Sequence, residues 1–374
     1  MAYSFLVIDT YYPKFLEKFY SSYNQDGSYE EHWLALMDEL FGTSDFYSKN
    51  LKELGCEVRE IIFNDIVLQQ KWMKEHGLEA GYYSFYRNYL YFKIMNRLSI
   101  IPWEYKLPYK ILKAQIDFYR PDILYVQDIT IDDRFLQGIK NSVKLIIGQT
   151  ACPLPSNVNL RVYDLIMTSF PHFVTRFRKM GINSEYFRIA FEPTVLERIG
   201  MHDRVYNCTF VGGISKAHRR GTELFEGLAN KVDIDFFGYG VEKLPENSAI
   251  RKKHHGEVWG KDMYKVLAQS KITINRHIDV AENFANNMRL YEAIGCGAML
   301  ITDMKDNLNE LFDIGKEVVA YNNVNELVEL IRYYADRDSE REAIARAGQK
   351  RTITEHTYYN RMEELLNILP KYLR

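Results

Sequence analysis

Short apolar runs alternate with amphipathic segments along almost the whole chain, and that alternation limits the fold more than any other feature. YSFLVID, CEVREIIF, DILYVQD, KLIIGQ, YDLIMTS and EYFRIAF each read as a strand, most of them with the near-continuous apolar residues of one buried on both faces. Between them lie stretches with helical apolar spacing. One runs through Trp33, Leu36, Met37 and Leu40, and another ends near Tyr119, ahead of Pro121. DRFLQGI and FVTRFRKMG follow, the latter with Gly181 as a suitable C-cap. The tract Ile66 to Asn96, rich in Tyr, Lys and Asn, reads as helices with an irregular insertion. A second series starts near Tyr206 with strands NCTFVGG, VDIDFFGYG, KITIN, AMLITD and EVVAY. Its helices run from about His218 to Ala229 and over KDMYKVLAQS, NMRLYEAIG and NELVELIRYYADR. Strands alternating with helices at this spacing imply an α/β fold with parallel, doubly wound sheets. The restart implies two Rossmann-like domains, residues 1–195 and 205–357, joined near Glu192 to Arg204. A terminal helical segment, 358–374, carries Met362, Leu365, Leu366 and Leu369 on one stripe.

The length, 374 residues, suits two domains, and 47% hydrophobic with 26% charged residues is the balance of a chain with real cores. A net charge of −2 gives no global attraction to nucleic acid. The four cysteines, Cys56, Cys152, Cys208 and Cys296, form no CxxC pair, which points away from a zinc site or disulfide framework and towards a reducing, cytoplasmic setting. The first residues lack a basic n-region, and no run approaches the ~18 apolar residues of a membrane span, so any membrane contact is expected to be peripheral. Oligomeric state is left open.

The segment Lys271 to Asp303 carries the most chemistry. It reads strand, loop, helix, glycine turn, strand, and ligands of doubly wound sheets sit at the carboxyl ends of strands. The loop after Asn275 lies there, and Asn286 or Asn287 would cap the next helix. That helix start is an anion site suited to a diphosphate. Arg289 and Glu292, three apart, share one face. The arginine can pair with phosphate, and the carboxylate can accept from the two hydroxyls of a ribose; a surface Arg–Glu pair is the plainer alternative.

The run N-x-R-x-Y-E-A-x-G-C-G, here Asn287, Arg289, Tyr291, Glu292, Ala293, Gly295, Cys296 and Gly297, resembles the donor-site motif of group 1 glycosyltransferases of the GT-B fold. It is most similar to the spore-maturation CgeB-like branch. Ile274-Asn275 and His255-Gly256 also match, and the resemblance spans roughly Asn207 to Tyr358. It implies a GT-B architecture, two Rossmann-like domains facing a central cleft, and transfer of a sugar from a nucleoside-diphosphate sugar to a glycan, lipid-linked sugar or protein, as in surface polysaccharide biosynthesis. The donor is a co-substrate, and no cofactor or metal is implied. Glu292 matches the ribose-holding glutamate, Gly212 and Gly213 the glycine turn that admits the phosphates, and Arg219 or Arg220 a basic position on the diphosphate. Many of these enzymes have two glutamates separated by seven residues; here Glu282 and Glu292 are separated by nine, which leaves the stereochemical outcome open. A nucleotide-sugar 2-epimerase or a non-catalytic sugar-nucleotide binder would share the architecture. The terminal helix is expected to cross back to the first domain.

Three residues are candidates for a catalytic base: Asp9 at the end of the first strand, Asp128 at the end of DILYVQD, and His172 at a helix start. Asp233-x-Asp235 is a literal DxD, but it opens a strand rather than a loop, so no metal is expected there. His255, beside Gly256, is a candidate to line the donor pocket; a metal shared with His254 is disfavoured, because neighbouring strand residues point to opposite faces. Cys152 has no placed histidine to activate it.

Overall fold

A computed structural model describes residues 3–78, 106–155, 158–214 and 219–373. The part of the Ile66 to Asn96 tract beyond residue 78, His218, and the side chains of Arg219 and Arg220 lie outside the described residues. The chain divides into two compact units, one of Met1–Thr168, His172–Tyr186 and Met362–Arg374, the other of Ser169–Pro171 and Phe187–Arg361.

Among the described residues the first unit holds six strands: β1 (Ser4–Asp9), β2 (Glu57–Ile62), β3 (Ile123–Val126), β4 (Leu145–Gln149), β5 (Leu165–Thr168) and β6 (Ser184–Tyr186). Their order is β2-β1-β3-β4-β5-β6, and every pairing is parallel. The second unit holds β7 (Tyr206–Val211), β8 (Asp235–Phe237), β9 (Ser270–Asn275), β10 (Met299–Asp303) and β11 (Val319–Tyr321), ordered β11-β10-β9-β7-β8 and again parallel throughout. β3, β5 and β10 are buried along their whole length, as uninterrupted apolar runs require.

Strand order places the candidate sites. In the first sheet the chain steps from β1 outward to β2, then returns to lay β3 on β1's other side. In the second it steps from β7 to β8, then returns to lay β9 against β7. Each reversal opens a crevice beyond the carboxyl ends of the two strands that flank it, where doubly wound sheets take their ligands. The flanking pairs are β1/β3, ending near Asp9 and Asp128, and β7/β9, ending near Gly212 and Asn275.

Three apolar runs give shorter strands than their sequence suggests. DILYVQD stops at Val126, because Asp128 turns to accept the backbone N–H of Thr130 at 2.9 Å. Only Asp235–Phe237 of VDIDFFGYG pairs, so Asp233 precedes the strand. EYFRIAF leaves the first sheet after Tyr186; its Phe191 bridges instead to Thr357, with Tyr358 N–H donating to the Phe191 carbonyl at 3.0 Å. Glu192–Arg204 is anchored in the second unit, where the Arg204 guanidinium donates to the carbonyls of Ser270 (3.0 Å) and Gly297 (2.6 Å). The last helix, Tyr358–Ile368, begins in the second unit and from Met362 belongs to the first. Met362, Leu365 and Leu369 are buried there, and Tyr372 Oη donates to Glu185 at 2.7 Å. Among the described residues no helix is long and apolar enough to cross a membrane.

Candidate functional site

In the second unit, β9 ends in Asn275 and the helix Met288–Gly295 begins behind an Asn287 cap, whose side chain accepts from Leu290 N–H at 3.1 Å. Asn287 rather than Asn286 is therefore the cap. The two side-chain amides of Asn275 and Asn287 exchange hydrogen bonds, at 2.8 and 3.2 Å, and Asn275 also donates to Thr302 Oγ1 at 2.9 Å. This pairing fixes the helix start to the strand end. Asn286 is buried, and its Nδ2 has no partner among the described residues.

Arg289 and Glu292 pair as their spacing allows, Nη1 to Oε2 at 2.8 Å, but inside the unit rather than on its surface. Glu292 is 4% exposed and also accepts from Tyr264 Oη at 3.3 Å. Burial pushes its carboxyl up, and the Arg289 charge and the Tyr264 hydrogen bond pull against that. Arg289 donates through Nε to the carbonyl of Val211, the last residue of β7, at 3.0 Å, and Nη2 lies 3.1 Å from Met263 Sδ. The guanidinium thus ties the glutamate to the strand end that leads into Gly212 and Gly213.

Those two glycines are closely packed by protein. A Cβ on Gly213 would lie 2.4 Å from the Tyr239 ring, and one on Gly212 would lie 2.8 Å from Phe210. Their local reason is therefore the fit of these aromatic rings. His255 sits apart from this cluster. Its Nε2 is 2.6 Å from Asp235 Oδ1 at the amino end of β8, and its ring stacks on Phe237 at 5.1 Å. Asp235 is thereby engaged, while Asp233 is almost fully exposed with Lys253 3.6 Å away. Glu282 is exposed and has a left-handed backbone, φ 51°.

Sequence reading missed a second cluster on the same loop. His277 Nδ1 and Asp303 Oδ1 are 2.7 Å apart, His277 N–H donates to the same oxygen at 3.0 Å, and Lys305 Nζ lies 3.2 Å from Asp303 Oδ2. Burial pushes the Asp303 carboxyl up, but the hydrogen bond and charge of His277, with Lys305, outweigh it and hold the carboxyl down at about 2. The available signal was Asp303 closing the AMLITD strand, one strand over from Asn275.

In the first unit Asp9 and Asp128 come together as neighbours. Thr10 bridges them, its N–H donating to Asp9 Oδ1 at 2.7 Å and its Oγ1 to Asp128 Oδ2 at 2.7 Å; Thr130 Oγ1 donates to Asp128 Oδ1 at 2.6 Å. The Asp9 carboxyl is pushed up to about 7, chiefly by burial and further by the charge of Asp128, against the pull of the Thr10 N–H. His172 is not part of this pair. It follows β5, which β4 separates from β3, and its ring meets Phe173 edge-on at 4.9 Å.

Residues 219–367 match the family model described as glycosyl transferase-like. No curated protein sequence matches the chain. Among solved structures, the chain is similar to Anabaena HepE, determined in complex with UDP-glucose, at 13% identity over 99% of this chain and 100% of that one, with a TM-score of 0.59. A sucrose-phosphate synthase from Thermosynechococcus elongatus is 9% identical over 99% and 98% of the two chains, TM-score 0.57. A glycosyltransferase from Rickettsia africae is 13% identical over 99% and 98%, TM-score 0.56. At such identities the likeness establishes the fold, and the family model speaks for the segment that holds Asn287, Arg289 and Glu292. The two parallel sheets thus have the GT-B fold, and the carboxyl-terminal segment, residues 219–367, matches a glycosyl transferase-like family model.

Proposed function

We propose that the enzyme transfers a sugar from a nucleoside-diphosphate sugar to a hydroxyl of a glycan, lipid-linked or protein acceptor, without a metal ion. The observation that carries this reading is the β7/β9 crevice, with a buried Glu292 paired to Arg289 and an Asn-capped helix start at the carboxyl edge of a doubly wound sheet. In this reading Glu292 accepts from the ribose hydroxyls and Arg289 is the positioning residue that holds it. The helix start and Arg219 or Arg220 face the diphosphate. Asp9 takes the acceptor's hydroxyl proton as the acceptor oxygen bonds to the anomeric carbon and the bond from that carbon to the diphosphate oxygen breaks. A carboxyl held near neutrality suits that step, which direct displacement requires. That HepE was solved with UDP-glucose and with UDP makes uridine nucleotides the first probes to try. The N-x-R-x-Y-E-A-x-G-C-G run supports reading the chain as CgeB-like, and its free cysteines suit the cytoplasm.

A panel of nucleotide sugars screened by melting temperature tests the reading, since a ligand bound to the native state stabilises it by mass action. One nucleotide series is expected to raise Tm and, with acceptor added, to release nucleoside diphosphate. If no nucleotide sugar raises Tm, the assignment fails.

A further inference from the structure

The His277 ring is fully enclosed, and one of its nitrogens is unaccounted for. Its side chain has no exposed surface; Nδ1 is committed to Asp303, and Nε2 has no partner among the described residues. A buried ring nitrogen without a partner costs free energy unless something fills its place. His277 lines a pocket of about 20 Å³, room for one oxygen-sized group, together with Gly213, Gly221, Thr222, Arg276, Asp279 and three apolar side chains.

The pocket's surroundings favour an anionic oxygen. Gly221 and Thr222 lie in the first turn of the helix Arg219–Ala229, whose amino end is electropositive. Arg276 lies across that turn, its Nε 3.3 Å from where a Cβ on Gly221 would be, so glycine is what lets the guanidinium stem approach the helix start. Gly213 belongs to the turn that follows β7, on one flank of the crevice, and His277 lies two residues past β9, on the other. The acids nearby are already engaged: Asp303 with His277 and Lys305, and Asp279 with Arg276 at 3.5 Å.

Resting on the nucleotide-sugar reading above, we propose that His277 Nε2 is a donor-binding group that hydrogen-bonds an oxygen of the terminal phosphate of the bound nucleoside diphosphate. Asp303 is the positioning residue: with the ring as imidazolium, Nδ1–H donates to its carboxylate and Nε2–H is left to donate into the pocket.

Two substitutions separate the nitrogens. His277→Asn keeps an amide donor where Nδ1 stands and removes Nε2; His277→Gln places an amide near Nε2. Calorimetry with matched mono- and diphosphates of uridine, guanosine, cytidine, adenosine and thymidine is the measurement. For the nucleotide that wild type binds, His277→Asn is expected to weaken the diphosphate about tenfold or more, leave the monophosphate unchanged, and be largely rescued by His277→Gln. Equal diphosphate affinity in His277→Asn and wild type, or equal weakening of mono- and diphosphate, overturns the proposal while the nucleotide reading stands. If wild type binds none of the nucleotides, the underlying reading falls and this proposal with it. Should His277→Asn not fold, the Nε2 resonance of wild-type His277 decides. It should shift on adding the diphosphate and not the monophosphate, and no shift overturns the assignment.

Discussion

The two units hold acids near the carboxyl ends of their sheets and surround them differently. Asp303 and Glu292, in the second unit, meet His277, Lys305, Arg289 and Tyr264, and Asp303 stays ionised down to about 2. Asp9, in the first unit, is lifted to about 7 chiefly by burial and further by the charge of Asp128, against the pull of the Thr10 N–H. Asp303, matched by His277 and Lys305, is fixed in charge and serves to bind and orient, whereas burial pushes Glu292 up against the pull of Arg289. An acid lifted by burial beside another acid, as Asp9 is, is poised to take a proton. Similar topology therefore supports two chemistries, and what surrounds the strand ends decides which.

The sharpest way to break this contrast is Asp9→Asn. Loss of a general base is expected to lower kcat by about 10² to 10⁴-fold with donor affinity unchanged, and the wild-type product should have an inverted anomeric centre. Near-normal turnover by Asp9→Asn, or a retained anomer, would remove Asp9 from the chemistry. A smaller effect is expected on the other side of the comparison: Glu292→Gln should weaken donor binding about ten- to a hundredfold in calorimetry, with Tm showing whether the unit stays folded. Unchanged affinity would take Glu292 out of the donor site.

The raised Asp9 carboxyl has a consequence for pH as well. As a base it must be ionised, so kcat should fall about tenfold per pH unit below about 7, and a flat profile from pH 5.5 to 8 would count against it. Stability should move the other way. The native state holds this proton to about 7, whereas an ordinary carboxyl releases it near 3.8, so Asp9 contributes stability below that lower value and loses it as pH rises through about 7. Asp9→Asn should remove that part of the decline in Tm between pH 5 and 8. The smallest effect expected is that of chelation. With Asp235 paired to His255 and departing charge assigned to cationic side chains and helix starts, EDTA should leave activity unchanged. Loss of activity restored by Mn²⁺ or Mg²⁺ would show that a metal does that work.

The sequence by itself determined the secondary structure and class of this protein, because apolar periodicity and capping are local signals. The buried runs YSFLVID and KLIIGQ became β1 and β4 nearly to the residue, Asn287 capped its helix, and two series of alternating strands and helices became two parallel sheets. The pairing of Arg289 with Glu292 was legible for the same reason, since both lie on one continuous helix. Only the tertiary structure decided which strand ends meet. Thr10 and Asp128 are 118 positions apart and touch because β3 returns to β1; His277 and Asp303 are 26 apart and touch because β10 lies beside β9. Strand order follows from packing over the whole sheet, and no local window contains it. The same holds for the environment that sets each acid's charge: the sequence shows Asp9 and Glu292 as acids, and the neighbours that assembly brings leave one poised to accept a proton and pair the other with a cation.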